Sequence, residues 1–511
     1  GAAGLSLDSN ELREYSYGAF ANLALLLKEE VAALAPSVMP MLITSIESED
    51  GVAAEYGGDD ETGLGGAGGG DDSEDEDDIR AITVRTAWLD EKAAAVFCLG
   101  NLAEAMGASF LPHLEQSLKV VENVAQYFHE DVRQNVQACL QKLWAVSFHA
   151  HTAPMRASVQ DPALAQQMVH PHTSLLLDKV MAHYLQCIKS DDDKETVALA
   201  CEALCATIPL VGGFCMQKSL AQIAQVLTQL FDEKAACQQG EDDDEEDEDE
   251  SDHDQVLIDA VAELLGAVAK AFQESFAPHF EPIFALLQKY IKPSRQASDR
   301  FMAIGAVAET CSHLKALSAP YIPHMLPVLA AGLQEDNHGV KRNSAFCCGV
   351  FCLHCPQQME PFVLQVLQGL QPLLAEDEEA EVRDNAIGAI ARIIRGNQAS
   401  VPTTQLVGLL ADHLPLTGDV DENVEVVACL LSVHRATPEA LNPFLGKIVS
   451  GFVALLAESD SAKALSDQSK QEMTAFIGHL AREYAEPMQG VFAACPAAHQ
   501  EWLAANISVV L

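Results

Sequence analysis

Apolar residues recur along this chain at the three- to four-residue spacing of one face of an α-helix. Leu364, Leu367, Leu370 and Leu374 show the spacing within a single segment. Such segments come in pairs separated by short acidic turns, and the pairs repeat at intervals of about forty residues. Two helices in a unit of this length is the HEAT pattern, so the fold is predicted to be all-α.

The second helix of each predicted pair opens with a recurring motif. Copies at 337–342, 379–384 and 421–425 lie about 42 residues apart. An acidic residue or Asn at the start caps the helix and suits the positive end of its dipole. A valine follows as the first core contact, and in two copies the next residue is basic and is expected to pair with a nearby acid. First helices instead open with proline beside an aromatic residue, as at Pro361-Phe362, because proline is tolerated in a first helical turn.

Stacking of these units predicts a HEAT-repeat α-solenoid, a right-handed superhelix of antiparallel helix pairs. Stretches rich in Gly and Asp cannot bury apolar area and are interpreted as inserts between the two helices of a unit. The sequence begins inside a repeat, which suggests a piece of a longer solenoid. The predicted divisions are partial HEAT repeats over 1–47, an acidic Gly-rich insert over 48–80, HEAT repeats over 81–148, an irregular connector over 149–171, HEAT repeats over 172–236, an acidic insert over 237–254, HEAT repeats over 255–457 and C-terminal capping helices over 458–511.

The chain is strongly acidic, with a formal net charge of −45 at pH 7. Three runs, 47–61, 71–78 and 241–254, hold 26 of its 75 acidic residues and neither Lys nor Arg. Nucleic acid is a poor partner for such a body, since phosphate contacts need a basic footprint. A basic protein surface or peptide is the expected partner instead. No apolar run looks long enough to span a bilayer, so no membrane partner is expected.

Fourteen cysteines are scattered without a disulfide framework and are interpreted as buried free thiols. Two groups of potential metal ligands stand out, one on a predicted second helix and one around the irregular connector. The first is interpreted as core residues and the second as loop histidines, although the histidines could chelate a metal. The groups are Cys347, Cys348, Cys352, His354 and Cys355, and His149, His151, His170 and His172.

Sequence motifs for catalysis were also sought. The chain has no phosphate-binding loop with its lysine, no zinc-protease helix motif and no hydrolase nucleophile elbow. We therefore predict no catalytic residue, no cofactor and no metal site, and an enzyme is the least favoured class.

Two segments resemble the karyopherin-β (importin-β) family of nuclear import receptors, YFHEDVR at 127–133 and VRDNAIGAI at 382–390. SDRFMAIG at 298–305 and EKAAA at 91–95 add to the likeness, which extends over most of 8–457. The resemblance is to the C-terminal half of such receptors. It implies a monomeric, cargo-binding portion of a receptor that shuttles between cytoplasm and nucleus.

The resemblance also implies the partners. These are basic nuclear proteins, including core histones and ribosomal proteins, together with their import signals. Release by Ran-GTP and contact with nucleoporins are implied for the full-length receptor. The main Ran-GTP contact of the family lies in N-terminal repeats, so no Ran-contact residue is assigned. Two alternatives remain open, a HEAT-repeat scaffold subunit and a histone chaperone, the latter favoured by the acidic runs.

Second helices of a HEAT solenoid line its concave wall, so their exposed polar residues are the candidate cargo contacts. Carboxylates would pair with Lys and Arg of the cargo, while Asn and Gln would bind its backbone. The candidates are Glu91, Asn101, Glu104, Asp131, Gln134, Asn135, Glu195, Glu202, Asp259, Glu263, Glu309, Asn343, Asp384, Asn385, Glu422 and Glu425. Each could instead belong to an ordinary solvated helix face. One exposed ion pair contributes only about 0–1 kcal/mol, so useful affinity needs many pairs and should fall with salt.

Overall fold

The computed structural model describes residues 9–48, 74–239, 248–458 and 463–507. In the two helices that begin at 74 and 248, it describes side chains from 87 and from 254 onward. Every regular element in these ranges is a helix. The chain divides into two compact units, unit 1 (Gly1–Phe272) and unit 2 (Gln273–Leu511).

Unit 1 is built mainly from long helices. They are α1 (Asn10–Leu27), α2 (Ala35–Glu47), α3 (Glu74–Met106), α4 (Leu111–Asn123), α5 (Glu130–Ser147), α6 (Pro171–Ser190), α7 (Lys194–Val211), α8 (Leu220–Phe231) and α9 (Glu248–Phe272). Short helical turns at Phe148–Thr152, Ala153–Ala157 and Pro162–Gln166 form the connector between α5 and α6.

Unit 2 continues with helix pairs and ends in three consecutive helices. The helices are α10 (Ala277–Tyr290), α11 (Ala297–Leu314), α12 (Ile322–Gly332), α13 (His338–His354), α14 (Val363–Leu370), α15 (Ala380–Asn397), α16 (Thr403–His413), α17 (Asn423–Ala436), α18 (Leu445–Ala457), α19 (Asp467–Glu483), α20 (Ala485–Ala494) and α21 (Ala497–Asn506).

Within each unit the second helices pack against one another in chain order. In unit 1, α1 packs on α3, α3 on α5, α5 on α7 and α7 on α9, and in unit 2 the same holds along α11, α13, α15, α17 and α19. First helices pack beside them, for example α4 on α5 and α6 on α7. Leu99, Leu140 and Leu204 are buried in the core, and each such side chain contributes about 1.5–3 kcal/mol. The prediction of an all-α, HEAT-repeat solenoid is confirmed.

The motif that opens a second helix links neighbouring helix pairs. Val132 is fully buried, as predicted. The Arg133 guanidinium donates to the carbonyl oxygens of Tyr127 and Phe128, both at 3.1 Å, within its own turn. It also pairs with Asp191 in the next turn along, with Nε 3.0 Å from Oδ2. The predicted pairing of this basic position with an acid is confirmed, and it joins one repeat to the next.

The cysteine-rich segment of α13 is a packing surface. Cys347, Cys348 and Cys352 are buried, and burial raises the pKa of Cys348 to about 12, so the thiol is inert. A Cβ on Gly349 would lie 2.8 Å from the Cα of Ala389. Small side chains therefore let α13 and α15 approach closely, and the interpretation of these cysteines as core residues is confirmed.

Both acidic inserts are shorter than predicted where the structure describes them. Helix α3 begins at Glu74, inside the predicted insert 48–80, and α9 begins at Glu248, inside 237–254. Apolar periodicity cannot detect these polar first turns. Acidic residues nevertheless suit a helix N-terminus, because they complement its dipole. The remainder of each predicted insert lies mostly outside the described residues.

Two stretches, Ala87–Asn123 and Pro438–Ala457, are long and apolar enough to cross a membrane by length and composition alone. A bent pair, Lys194–Val211 with Gly213–Gln238, also meets that test at an angle of 120°. The expectation that no apolar run reaches this length was wrong. About half of the most apolar window in each single stretch is buried inside the protein, at 56% and 50%.

Candidate functional site

Three carboxylates on neighbouring second helices of unit 1 influence one another's charge, and among the described residues none of them forms an ion pair with Lys or Arg. They are Glu14 on α1, Asp90 on α3 and Asp131 on α5. Burial and the charge of Asp131 raise the pKa of Asp90. Burial, Asp90 and Glu11 likewise raise the pKa of Glu14. These shifts indicate negative charge that is not neutralised by other described residues. Among these residues, the one nearby group that could carry positive charge is His129, whose Nδ1 lies 3.8 Å from Asp131 Oδ2.

A second group of carboxylates lies further along the same layer. Glu195 and Glu202 are exposed on α7, and Asp259 and Glu263 are exposed on α9. Burial, Glu263 and Glu195 raise the pKa of Glu202, and burial raises that of Asp259. Among the described residues, none of the four forms an ion pair. Six of these carboxylates lie on five second helices that pack against one another in chain order, and we call this set the acidic track: Glu14, Asp90, Asp131, Glu195, Glu202 and Glu263.

Lys142 on α5 provides a cation on the same layer. Its ammonium lies 2.8 Å from Glu104 Oε2 and donates to Asn101 Oδ1, both on α3. Glu104 is therefore neutralised, although its side chain is 53% exposed. Asn101 is almost fully buried, and its Nδ2 has no hydrogen-bond partner. The expectation that Asn101 is an exposed contact was wrong, because its carbonyl oxygen is used inside the protein.

Glu91 was also predicted to be exposed and is buried instead. Its carboxylate accepts hydrogen bonds from Arg13 Nε at 2.8 Å and from the hydroxyl of Ser45. Adjacent positions on a helix differ by about 100° in direction, so the preceding residue, Asp90, is the one that faces the track. The predicted contact was wrong by one position.

In unit 2 three of the predicted contacts are buried structural residues. Glu422 forms a bidentate pair with Arg392 at 2.6 and 3.0 Å. Asp384 accepts the backbone N–H groups of 417, 418 and 419 at 2.7–3.1 Å, capping a turn. Asn385 donates to Asp419 at 2.8 Å. The expectation that Asp384, Asn385 and Glu422 are exposed was therefore wrong.

The other predicted contacts of unit 2 are half-buried, and each has an internal partner. Glu425 pairs with Arg395. Glu309 lies 3.1 Å from His313. Asn343 donates to the carbonyl oxygen of residue 301 at 2.8 Å.

Two amides of α5 are likewise used within unit 1. Gln134 donates to Asp193 at 3.1 Å, and Asn135 donates to the carbonyl oxygen of Asp131 at 2.8 Å. The backbone-binding role expected for these amides stays a prediction.

The two units differ in charge. Residues 1–272 contain 49 acidic and 15 basic side chains, whereas residues 273–511 contain 26 and 15. Carboxylates of the unit 2 second helices are largely matched by arginines and backbone N–H groups. Most of this difference lies in the three acidic runs, which hold 26 of the 49 acidic residues of unit 1. Among the described second helices, however, the candidate carboxylates that have neither a Lys or Arg partner nor a backbone N–H donor lie mainly in unit 1.

Two family models match the chain. One describes importin repeat 6 and matches residues 201–293, and the other describes TPR repeats of importin subunit beta-1-like proteins and matches residues 248–387. Probable importin subunit beta-4 of Schizosaccharomyces pombe is 24% identical over 504 residues, covering 94% of this chain and 46% of that protein. Importin-4 of Homo sapiens is 27% identical over 511 residues, covering 96% of this chain and 45% of that protein. These matches support the predicted likeness to receptors of the karyopherin-β family.

Solved karyopherin structures share the fold. Kap121p bound to the SUMO protease Ulp1p matches with a TM-score of 0.70 at 16% identity, covering 97% of this chain and 44% of Kap121p. Kap121p bound to RanGTP matches with a TM-score of 0.68 at 16% identity, covering 99% and 45%. Kap121p has also been solved bound to Nup53p. The chain spans about half the length of the curated relatives it matches.

Sequence reasoning missed two members of the acidic track, Glu14 and Asp90. Glu14 lies on a helix that was assigned only as part of a partial repeat. Asp90 lies beside Glu91, and only the direction of the core-facing residues could have distinguished the two. Ala95, Leu99 and Leu102 are buried on the side of α3 that faces away from Asp90, so their spacing was the available signal.

Three of the four histidines around the connector, His151, His170 and His172, lie close together. The rings of His151 and His170 stack at 4.9 Å, and those of His151 and His172 meet edge-on at 5.6 Å. Within the described ranges, no group of three or more His, Cys, Asp or Glu side chains is arranged to hold a metal ion. His172 Nδ1 instead lies 3.0 Å from the hydroxyl of Ser147.

Proposed function

We propose that this chain is the cargo-binding C-terminal portion of a nuclear import receptor that recognises basic nuclear proteins. Core histones and ribosomal proteins are the proposed cargo, bound with their import signals to the acidic second-helix layer. In the full-length receptor, Ran-GTP releases the cargo, nucleoporins guide passage, and the protein shuttles between cytoplasm and nucleus. No catalytic role is proposed.

One observation carries the proposal, the unneutralised charge of the acidic track. Burial and, after it, neighbouring carboxylates raise the pKa of Glu14, Asp90 and Glu202, so an added ammonium or guanidinium group would relieve the repulsion between these carboxylates. Similarity to importin-4 and to importin family models supports transport as the process. The Kap121p complexes with RanGTP and Nup53p support the proposed classes of partner.

The experiment is a salt titration with a fluorescent histone-tail peptide and the purified chain. Anisotropy should show binding at low salt and dissociation as salt rises, because exposed pairs are screened. Neutralising Glu202 and Glu263 together, as Glu202→Gln with Glu263→Gln, should weaken binding by about tenfold, from the loss of two pairs of up to about 1 kcal/mol each.

A matched control removes two exposed carboxylates from first helices, Glu115→Gln with Glu281→Gln on α4 and α10. Its affinity should stay within about twofold of the parent chain, since net charge changes equally but the acidic track is intact. Absence of binding by the parent chain at low salt, or an equal loss in the control, would refute the proposal.

The acidic runs favour one second candidate, a histone chaperone. Such a protein would prevent aggregation of histones with DNA, without any need for import signals. A turbidity assay of histone–DNA mixtures tests this, because a chaperone should suppress their aggregation. A transport receptor segment should instead bind an isolated signal peptide.

A further inference from the structure

We infer that the connector of unit 1 is a proton-sensitive latch, which is docked when its histidines are neutral and released when they take up protons. The connector consists of the short helical turns between α5 and α6. The latch lies outside the acidic layer and is independent of cargo binding. It is formed by three histidines, His151, His170 and His172, that hold the two ends of the connector together.

The histidine rings join the first turn of the connector to the start of α6. The rings of His151 and His170 stack at 4.9 Å with an interplanar angle of 27°, and those of His151 and His172 meet edge-on at 5.6 Å. Neutral imidazoles pack favourably at these distances, whereas two imidazolium ions repel each other. The contact is therefore favourable only while no more than one ring carries a proton.

His170 has a second reason to stay neutral, because its side chain caps α6. Its Nδ1 accepts the backbone N–H of His172 at 3.3 Å, and its own backbone N–H donates to Thr152 Oγ1 at 3.1 Å. A protonated imidazole carries hydrogen on both nitrogens and has no acceptor left. It would also place a positive charge at the positive end of the helix dipole. Uptake of a proton by His170 therefore removes the cap of α6 and opposes the dipole.

Among the described residues, no carboxylate pairs with these three rings. Burial, followed by the charges of His170 and His172, lowers the pKa of His151. Asp178 on α6 pairs with Lys218 instead, and Asp161 caps its own turn. On the elements packed against the cluster, the other charged or titratable side chains nearest to it in sequence are His113, Lys142, His149, Arg156, Lys179 and Cys215.

These contacts set the direction of the pH dependence. In the docked connector the pKa of His151 lies below its usual value of about 6.5, which the ring regains when the connector opens. The open form therefore takes up more protons, and docking weakens as the pH falls from about 7 to 5. Each histidine that binds a proton only in the open form raises the opening equilibrium constant about tenfold between about pH 7.5 and 5.5.

Release of the connector uncovers the ends of two helices. The Arg156 guanidinium donates to the carbonyl oxygens of Leu210 and Val211 at 2.7 Å each, so the connector covers the C-terminal end of α7 as well as the first turn of α6. An open connector leaves both ends without these partners. In mild acid the connector is thus a point at which unit 1 loosens while its long helices stay folded.

Hydrogen exchange measured by mass spectrometry tests the latch, with each rate divided by the intrinsic rate of an unstructured peptide at the same pH. Amides of 153–170 and of the first turn of α6 should lose protection by at least about tenfold between about pH 7.5 and 5.5 in the parent chain. Circular dichroism at both pH values establishes that the long helices remain folded, so that the loss reports the connector.

Two substitutions remove titrating rings and keep their structural roles. His170→Asn keeps a side-chain acceptor at the N-cap, where Asn is favoured, and His151→Phe keeps an aromatic ring in the stack. In the double variant, protection of the connector amides should change by less than about twofold between the same pH values. His149→Gln is the matched control, because it removes an exposed histidine of the same turn and should leave the loss as large as in the parent chain.

The outcomes decide for or against the latch. A change of less than about twofold in the parent chain overturns the inference, and so does a double variant that loses protection as strongly as the parent chain. If the double variant is already open at neutral pH, His170→Asn alone is the test, and an unreduced loss in that variant overturns the inference. A loss that disappears in His149→Gln also overturns it, because the pH dependence would then come from outside the three rings.

Discussion

Arg156 holds the irregular connector onto unit 1, and its replacement should loosen that region selectively. Its guanidinium donates to the carbonyl oxygens of Met168, Leu210 and Val211 at 2.9, 2.7 and 2.7 Å, and more weakly to that of Gln166 at 3.3 Å. Leu210 and Val211 are the last residues of α7, where carbonyl groups have no partner within the helix. The Arg156 guanidinium therefore caps the C-terminal end of α7 and, through the same group, holds the connector against it.

The magnitude follows from these bonds. Each of the three short hydrogen bonds contributes about 1 kcal/mol net at a partly exposed site. The guanidinium also lies 5.3 Å from the centre of the Phe148 ring, which adds about 0.5–1 kcal/mol. Arg156→Met keeps most of the aliphatic stem, and we expect it to lower the local free energy of opening by about 3–4 kcal/mol.

Hydrogen exchange measured by mass spectrometry is the appropriate assay, because it resolves local opening. Amides of 153–170 and of the last turn of α7 should exchange roughly a hundredfold faster or more in Arg156→Met, since 1.4 kcal/mol corresponds to a factor of ten. Arg482→Met, which removes an exposed arginine of α19, is the control and should leave these amides unchanged. Exchange within about twofold of the parent chain in the connector would refute the reasoning.

Three further predictions concern ionisable groups. Arg392→Met should destabilise unit 2 by about 3–5 kcal/mol in urea unfolding, because it leaves Glu422 buried without a partner. Adding Glu422→Met should restore most of the lost stability. A double variant less stable than the single one would contradict this reasoning. Burial lowers the pKa of His183 to about 4. Because the unfolded chain takes up this proton near pH 6.5, stability should fall between about pH 6.5 and 4 by up to about 3 kcal/mol, and His183→Gln should reduce that slope in unfolding curves. The pKa of Glu202 is raised, so a bound cation should favour release of its proton, and histone-peptide affinity should rise as pH rises through that pKa. Calorimetry in buffers of different ionisation enthalpy should detect the released protons. The Glu202→Gln variant should not release them.

The helical repeat could be predicted from the sequence because it depends on local chemistry. Valine, basic and acidic positions of the opening motif recur in sequence, and Val132 and Arg133 occupy the predicted core and turn positions. Proline beside an aromatic residue likewise marks the start of first helices. These signals need only a few consecutive residues, so they survive divergence between repeats.

The ends of the inserts could not be predicted in the same way. The first turns of α3 and α9 are acidic and contain little apolar surface to reveal a period. Their helical state depends on continuation into the packed segments that follow, such as Val261 to Leu265 in α9, and on favourable charge at the helix N-terminus. Local composition alone therefore favoured an insert.

The candidate contacts were only partly predictable because exposure is decided between helices. Asp384 and Glu422 have the same chemistry as Glu202, and all three lie on second helices. Asp384 accepts hydrogen bonds from backbone N–H groups of a turn more than thirty residues away, and Glu422 forms an ion pair with an arginine of the preceding second helix. A sequence shows each carboxylate but not its partner in the fold. It therefore gives the number of acidic residues without showing which of them lack an internal partner. Free charge, rather than total charge, is what a basic ligand can bind, and among the candidate contacts that the structure describes it lies mainly on α5, α7 and α9 of unit 1.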